Sequence, residues 1–218
     1  MVIFDCNGVL VDSEAIAATV AAQELTRVGF AVSPEIVARF FAGRRSADML
    51  ADIEAATKRK LPENFATTLA SATLRRLRTE LRPTPHIAHA LTWLRGPKSV
   101  ASSSPLDRVR VSLDACSLLR FFDPYLFSAN DVARGKPAPD LFLHVAAKMR
   151  VKPQDCIVVE DSPAGVAAAY GAGMMPIGFV GGSHSAPNLG AQLTTAGARA
   201  VIADMRALKS TVVALRGW

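Results

Sequence analysis

Three short apolar runs in this chain stop abruptly at small or acidic residues, and a segment of helical character follows each one. Val2-Ile3-Phe4 runs into Asp5, Ser99-Val100-Ala101 into Ser102, and Ile157-Val158-Val159 into Glu160-Asp161. Runs this short suit strands better than helices, and strands alternating with helices build a parallel sheet through right-handed crossovers. Residues 125–129 and 175–180 add two strand candidates, and 200–203 a weaker one. The expected fold class is α/β with a parallel sheet.

One stretch departs from this rhythm. Between the first and second strands, residues 15–28, 34–41, 47–58 and 63–81 read as helices, with Ser33-Pro34 and Leu61-Pro62 marking starts. This divides the chain into a core of residues 1–13 and 83–218 and an inserted all-helical cap of residues 14–82. Asp12-Ser13 forms one hinge, and Arg82-Pro83-Thr84-Pro85 the other, a stiff linker.

With half of its 218 residues hydrophobic, the chain is able to bury a sizeable core. Its formal charge of +6 comes from basic residues scattered in pairs such as Arg44-Arg45 and Arg75-Arg76, without interleaved aromatics. That pattern suits a solvated surface with a mild pull on anionic substrates, and no nucleic-acid partner is expected. No apolar run reaches membrane-spanning length and no basic leader precedes Val2, so the expectation is a cytoplasmic monomer without a membrane partner. Cys6, Cys116 and Cys156 lie far apart, as free thiols in a reducing compartment would.

In an open parallel sheet, ligands bind beyond the carboxyl ends of the strands. Asp5, Ser102 and the Glu160-Asp161 pair fall there, and Lys136 follows the strand candidate at 125–129. A carboxylate nucleophile, a hydroxyl, a lysine and an acidic pair suit phosphate chemistry. Magnesium takes hard oxygen ligands and bridges carboxylates to phosphate, while lysine and hydroxyl groups hold the remaining phosphate oxygens.

The segment Asp5-Cys6-Asn7-Gly8-Val9-Leu10-Val11-Asp12-Ser13-Glu14 resembles the first motif of the haloacid dehalogenase-like phosphatases: Asp, any residue, Asp, Gly, then Thr or Val. Ser102-Ser103-Ser104 resembles the second motif, Gly135-Lys136-Pro137 the third, and Glu160-Asp161-Ser162-Pro163 the fourth. The resemblance covers essentially the whole chain and implies a Rossmann-like core carrying the helical cap of the β-phosphoglucomutase-like branch. It also implies roles. Asp5 attacks phosphorus and becomes an aspartyl phosphate; Asp5, the Asn7 carbonyl and Asp161 bind Mg2+, with Glu160 a direct or indirect partner. Ser102 and Ser103 hold the phosphoryl group, Lys136 neutralises it, and Gly8 permits the turn after the nucleophile. Gly43, Arg44 and Arg45 lie where related caps carry a substrate-specificity loop, so the arginines are candidates for a carboxylate or second phosphate. His184 either touches the substrate or belongs to a flexible loop.

Position 7 departs from the family pattern. The aspartate found there in relatives protonates the leaving oxygen and then deprotonates water, and an amide does neither. A substitution that stalls the enzyme, a naturally inactive relative and a different chemistry are the competing accounts. A metal-free dehalogenase has no reason to keep Glu160-Asp161, and a phosphonatase needs a cap lysine, whereas the first lysine here is Lys58. The favoured expectation is a Mg2+-dependent phosphatase for a small phosphorylated metabolite such as a sugar phosphate, disabled at Asn7. The alternatives are a β-phosphoglucomutase-type phosphotransferase, against which Ala17 stands where a cap histidine is aligned, and an inactive phosphometabolite-binding relative.

Overall fold

A computed structural model of the chain describes residues 1–41 and 45–217, with no side chains described at 39–41. Six parallel strands form the sheet: β1 (Val2–Phe4), β2 (Lys98–Ser102), β3 (Leu126–Ser128), β4 (Ile157–Glu160), β5 (Met175–Phe179) and β6 (Ala200–Ile202). Their spatial order is β3-β2-β1-β4-β5-β6. The strands are short because each serves only to cross the core. Sequence periodicity placed them to within one or two residues.

Alternation along β1 assigns its two faces. Val2 and Phe4 join a buried cluster with Ile87 and Leu91 of α5 (Ile87–Trp93), Val109 and Leu113 of α6 (Leu106–Ala115), and Leu208 and Val212 of α10 (Leu208–Arg216). Ile3 faces the other way, packing with Leu141, Phe142 and Val145 of α7 (Asp140–Met149) and Ala168 and Ala169 of α8 (Pro163–Gly171). Helices on both sheet faces are what strands buried on both sides require. A smaller cluster joins Val166 to Leu189 and Leu193 of α9 (Leu189–Thr195).

Between β1 and α5 the described residues form α1 (Glu14–Arg27), α2 (Pro34–Phe41), α3 (Ser46–Thr57) and α4 (Phe65–Glu80), and no strand. These helices enclose a cluster of their own, with Val20, Leu25, Phe30, Met49, Phe65 and Leu69 at its centre. The two chain connections to this insertion lie side by side. Val11 bridges to Pro83, the Asp12 N–H donates to the Arg82 carbonyl at 3.0 Å, and the Thr84 N–H donates to the Leu10 carbonyl at 3.0 Å. No helix among the described residues is long and apolar enough to cross a membrane.

The strand order sets the place of the site. The chain winds outward from β1 through β2 to β3, then crosses to β4 and winds out through β5 to β6. The winding direction reverses beside β1, which opens a crevice beyond the carboxyl ends of β1 and β4.

Candidate active site

Asp5 follows β1 directly, and its N–H continues the ladder by donating to the Val159 carbonyl at 3.0 Å. Its carboxylate is 6 % exposed and accepts a hydrogen bond from Lys136 Nζ at 2.5 Å. The same ammonium is paired with Glu160 Oε1 and donates to the Ala101 carbonyl at 3.3 Å. Burial works against the Lys136 charge, but Asp5 and Glu160 outweigh it and hold the ammonium above the usual lysine range. For Asp5 burial is the larger influence: it raises the carboxyl well above its usual range, Glu160 and Asp161 add to the rise, and Lys136 opposes it. One lysine therefore does not compensate the carboxylates gathered here.

Glu160 was expected at the metal, directly or indirectly, and its oxygens are turned to Lys136 and to the start of α8. Oε1 pairs with Lys136, while Oε2 accepts from the Asp161 and Ser162 N–H groups and from Ser162 Oγ. It braces the lysine and the turn into α8. Gly165 is required for this, because a Cβ there would lie 2.0 Å from Glu160 Cδ. Ser162 caps α8 by accepting from the Gly165 N–H at 3.0 Å.

The first motif turns sharply after Asp5. The Gly8 N–H donates to the Val11 carbonyl at 2.8 Å, and Gly8 has φ +76°. A Cβ at Gly8 would lie 1.9 Å from Asp161 Oδ2, so only glycine lets this backbone and carboxylate meet. Asn7 is held at both ends of its amide: Nδ2 donates to Ser104 Oγ at 2.9 Å, and Oδ1 accepts from Ser13 Oγ at 3.1 Å. Both partners are hydroxyls that rotate freely, so the position accommodates a carboxylate equally well. Cys6 is fully buried, and burial pushes its thiol up, as suits a packing residue.

Ser102 is fully buried at the end of β2, where its Oγ accepts from the Ser104 N–H at 3.1 Å. Ser128 secures the same loop from β3 by donating to the Ser104 carbonyl at 2.8 Å. Ser103 and Ser104 line a cavity of about 80 Å³ that opens beside Asp5 and Asn7, roofed by Ala17, Ala18 and Met49 of the insertion. Glu14, Thr73 and Arg108 share this cavity, and sequence reading had assigned them no role.

Of the specificity-loop candidates, Gly43 and Arg44 lie outside the described residues. Arg45 is tied to Asp48, with Nε to Oδ2 at 2.9 Å and a second nitrogen to Oδ1 at 3.2 Å. His184 belongs to the site: its Nε2 lies 2.8 Å from Asp161 Oδ2. Desolvation disfavours its charge, but Asp161 outweighs it and raises the imidazole above its usual value. Ser183 Oγ donates to Asp12 Oδ1 at 2.7 Å, anchoring this loop to the first motif. Among the described residues no group of three or more His, Cys, Asp and Glu side chains is assembled to hold a metal by itself.

Known proteins share this architecture. A family model for haloacid dehalogenase-like hydrolases matches residues 1–173. The 6-phosphogluconate phosphatase of Escherichia coli (strain K12) is 31 % identical over 89 % of this chain and 88 % of its own length. A phosphorylated carbohydrates phosphatase of Thermotoga maritima is 29 % identical over 92 % of this chain and 93 % of its own. Among solved structures, a haloacid dehalogenase-like protein of Agrobacterium tumefaciens superposes with TM-score 0.83 at 37 % identity, covering 99 % of this chain and 98 % of that one. A hydrolase of Deinococcus radiodurans R1, solved with bound phosphate and sodium, superposes with TM-score 0.77 at 28 % identity, covering 99 % and 95 %. With its parallel sheet and a buried aspartate directly after the first strand, the chain belongs to the haloacid dehalogenase-like hydrolase family.

Proposed function

We propose that this protein is a Mg2+-dependent phosphatase for a small phosphorylated metabolite, a sugar phosphate, working through an aspartyl phosphate on Asp5 and stalled by Asn7. The observation that carries this reading is the Asp5 carboxylate, buried against Lys136 at 2.5 Å and opening on a cavity. The phosphatase relatives named above support it, as does the relative solved with phosphate and a cation bound.

The residues present fit magnesium. Asp5 and Asp161 are two buried carboxylates, the Asp161 charge adds to the cost of ionising Asp5, and Mg2+ is ordinarily held by one or two carboxylates, a substrate phosphate and water, without an all-protein cage. The Asp5 and Asp161 carboxylates and the Asn7 main-chain carbonyl would hold it. When bound, it supplies positive charge against the phosphoryl oxygens.

The chain's own residues do the rest. Asp5 attacks phosphorus, forming one P–O bond as the ester P–O bond breaks, and water then hydrolyses the acyl phosphate. Lys136 orients Asp5 and neutralises the phosphoryl group; Ser102 and Ser103 position it. Helices α1–α4 act as a cap that excludes bulk water and shapes the cavity for the leaving group. Ala17 on the cavity wall offers no proton-transfer group, which favours hydrolysis over phosphoryl return to a sugar.

Steady-state phosphate release from a panel of sugar phosphates tests this. Asn7→Asp restores the group that protonates the leaving oxygen and activates water, a gain of about 10²- to 10⁴-fold in turnover. Asp5→Ala in that background returns release to the blank. No gain with Asn7→Asp on any ester overturns the reading. Calorimetry checks the cation separately: Asp161→Ala is expected to weaken Mg2+ binding, and equal affinity in the two proteins removes the assignment.

A further inference from the structure

A cation next to the reacting centre has a buried nitrogen with no partner among the described residues. Arg108 lines the cavity beside Asp5, Asn7 and Ser104, and its Nε is buried without a hydrogen-bond partner. It is the third residue of α6, which begins just after the Ser102-Ser103-Ser104 loop, so its guanidinium is carried at a short, rigid offset from the phosphoryl-holding loop. Its own N–H donates to Asp107 Oδ1 at 2.8 Å, but the side chain enters no salt bridge among the described residues. Glu14 shares the cavity and feels the Arg108 charge, yet the two do not close into an ion pair.

Several other arginines of the molecule are paired. Arg45 is bound twice by Asp48, Arg134 by Asp140, and Arg206 by Asp204. A buried guanidinium N–H left unmade is costly, and such a group is retained where a ligand completes it. Its planar fork matches a carboxylate bidentately, which an ammonium does not. Around it the insertion supplies small side chains, Ala17, Ala18, Ala21 and Ala38, leaving room for a short carbon chain.

We infer that Arg108 is a specificity-determining residue that binds a carboxylate at the end of the substrate remote from its phosphate, so that phosphorylated sugar acids are preferred over neutral sugar phosphates of equal length. This rests on the phosphatase reading above and names the substrate class of the same site. Because Asn7 slows turnover, binding is measurable directly on the present protein.

The test is calorimetric titration with Mg2+ present, using inorganic phosphate and two pairs matched in chain length: 6-phosphogluconate with glucose 6-phosphate, and 3-phosphoglycerate with glycerol 3-phosphate. In at least one pair the acid is expected to bind about tenfold tighter or more, the scale of a hydrogen bond to a charged group. Arg108→Met is expected to erase that difference while leaving inorganic phosphate affinity and the melting temperature unchanged. Arg108→Lys keeps the charge without the fork and is expected to recover only part of it. Equal affinities within both pairs, or an Arg108→Met loss that is the same for acid, neutral sugar and inorganic phosphate, overturns the inference while leaving the phosphatase reading standing. No binding of inorganic phosphate or of any ester removes the phosphatase reading, and this inference with it.

Discussion

The strand-end site and the helical insertion stabilise their polar residues in opposite ways. At the strand ends Lys136, Asp5 and Glu160 are each less than 10 % exposed, with the one ammonium shared between the two carboxylates. In the insertion pairs such as Arg76 and Glu80 or Lys60 and Glu54 sit at the surface, while alanines, Met49 and Leu69 make up much of the cavity wall beside Glu14 and Thr73. Buried charges that depend on each other fail together, because removing one leaves the others desolvated and unpaired. Apolar wall residues change singly, each at the cost of its own volume. The proposed chemistry thus falls in the part that tolerates least change, and the shape of the cavity is set by the part that tolerates most.

Three substitutions sharpen or break this contrast. The largest effect is expected for Lys136→Met, which strands Asp5 and Glu160 without a counter-charge and should cost about 3–5 kcal/mol in urea unfolding. It should also abolish phosphate binding, and a protein of unchanged stability would show that the network is not held by the lysine. Next comes Leu25→Ala, which opens a cavity in the fully buried centre of the insertion. Its expected cost is about 2–4 kcal/mol, with inorganic phosphate affinity preserved. If phosphate binding falls as far as with Lys136→Met, the two regions are not separable as described. The smallest effect belongs to Arg76→Ala, which removes one surface pair in α4 at a helical i,i+4 spacing. Thermal unfolding should register less than about 0.5 kcal/mol, and a larger loss would mean that surface pairing holds the insertion.

Particular residues mark how far sequence reading reaches. The strand ends were legible because an apolar run stopping at an acid is a local signal, and Asp5, Ser102 and Asp161 were found from it. Arg45 carried a local signal of the opposite kind that went unused: Asp48 lies three residues on, where a helix brings the two side chains together. For Glu160 the resemblance leaves a direct or an indirect place at the metal open, and only packing shows its oxygens turned to Lys136 and the α8 turn. His184 reads in sequence only as a residue that touches substrate or lies in a flexible loop, and its pairing with Asp161 comes from the structure. Arg108 had no signal, because nothing in the first turn of an ordinary amphipathic helix indicates that its side chain lines the cavity beside Asp5.

By itself the sequence determined the parallel sheet, the helical insertion and the acidic and hydroxyl residues at the strand ends, since each follows from patterns within a few residues of one another. Only the tertiary structure decided which charges are already neutralised and which face the cavity unpaired. A pair such as Arg45 and Asp48 is local, but whether a guanidinium without such a neighbour is paired depends on groups distant in the chain that packing brings together. Arg108, beside Asp5 and Ser104, lacks a partner at its buried Nε.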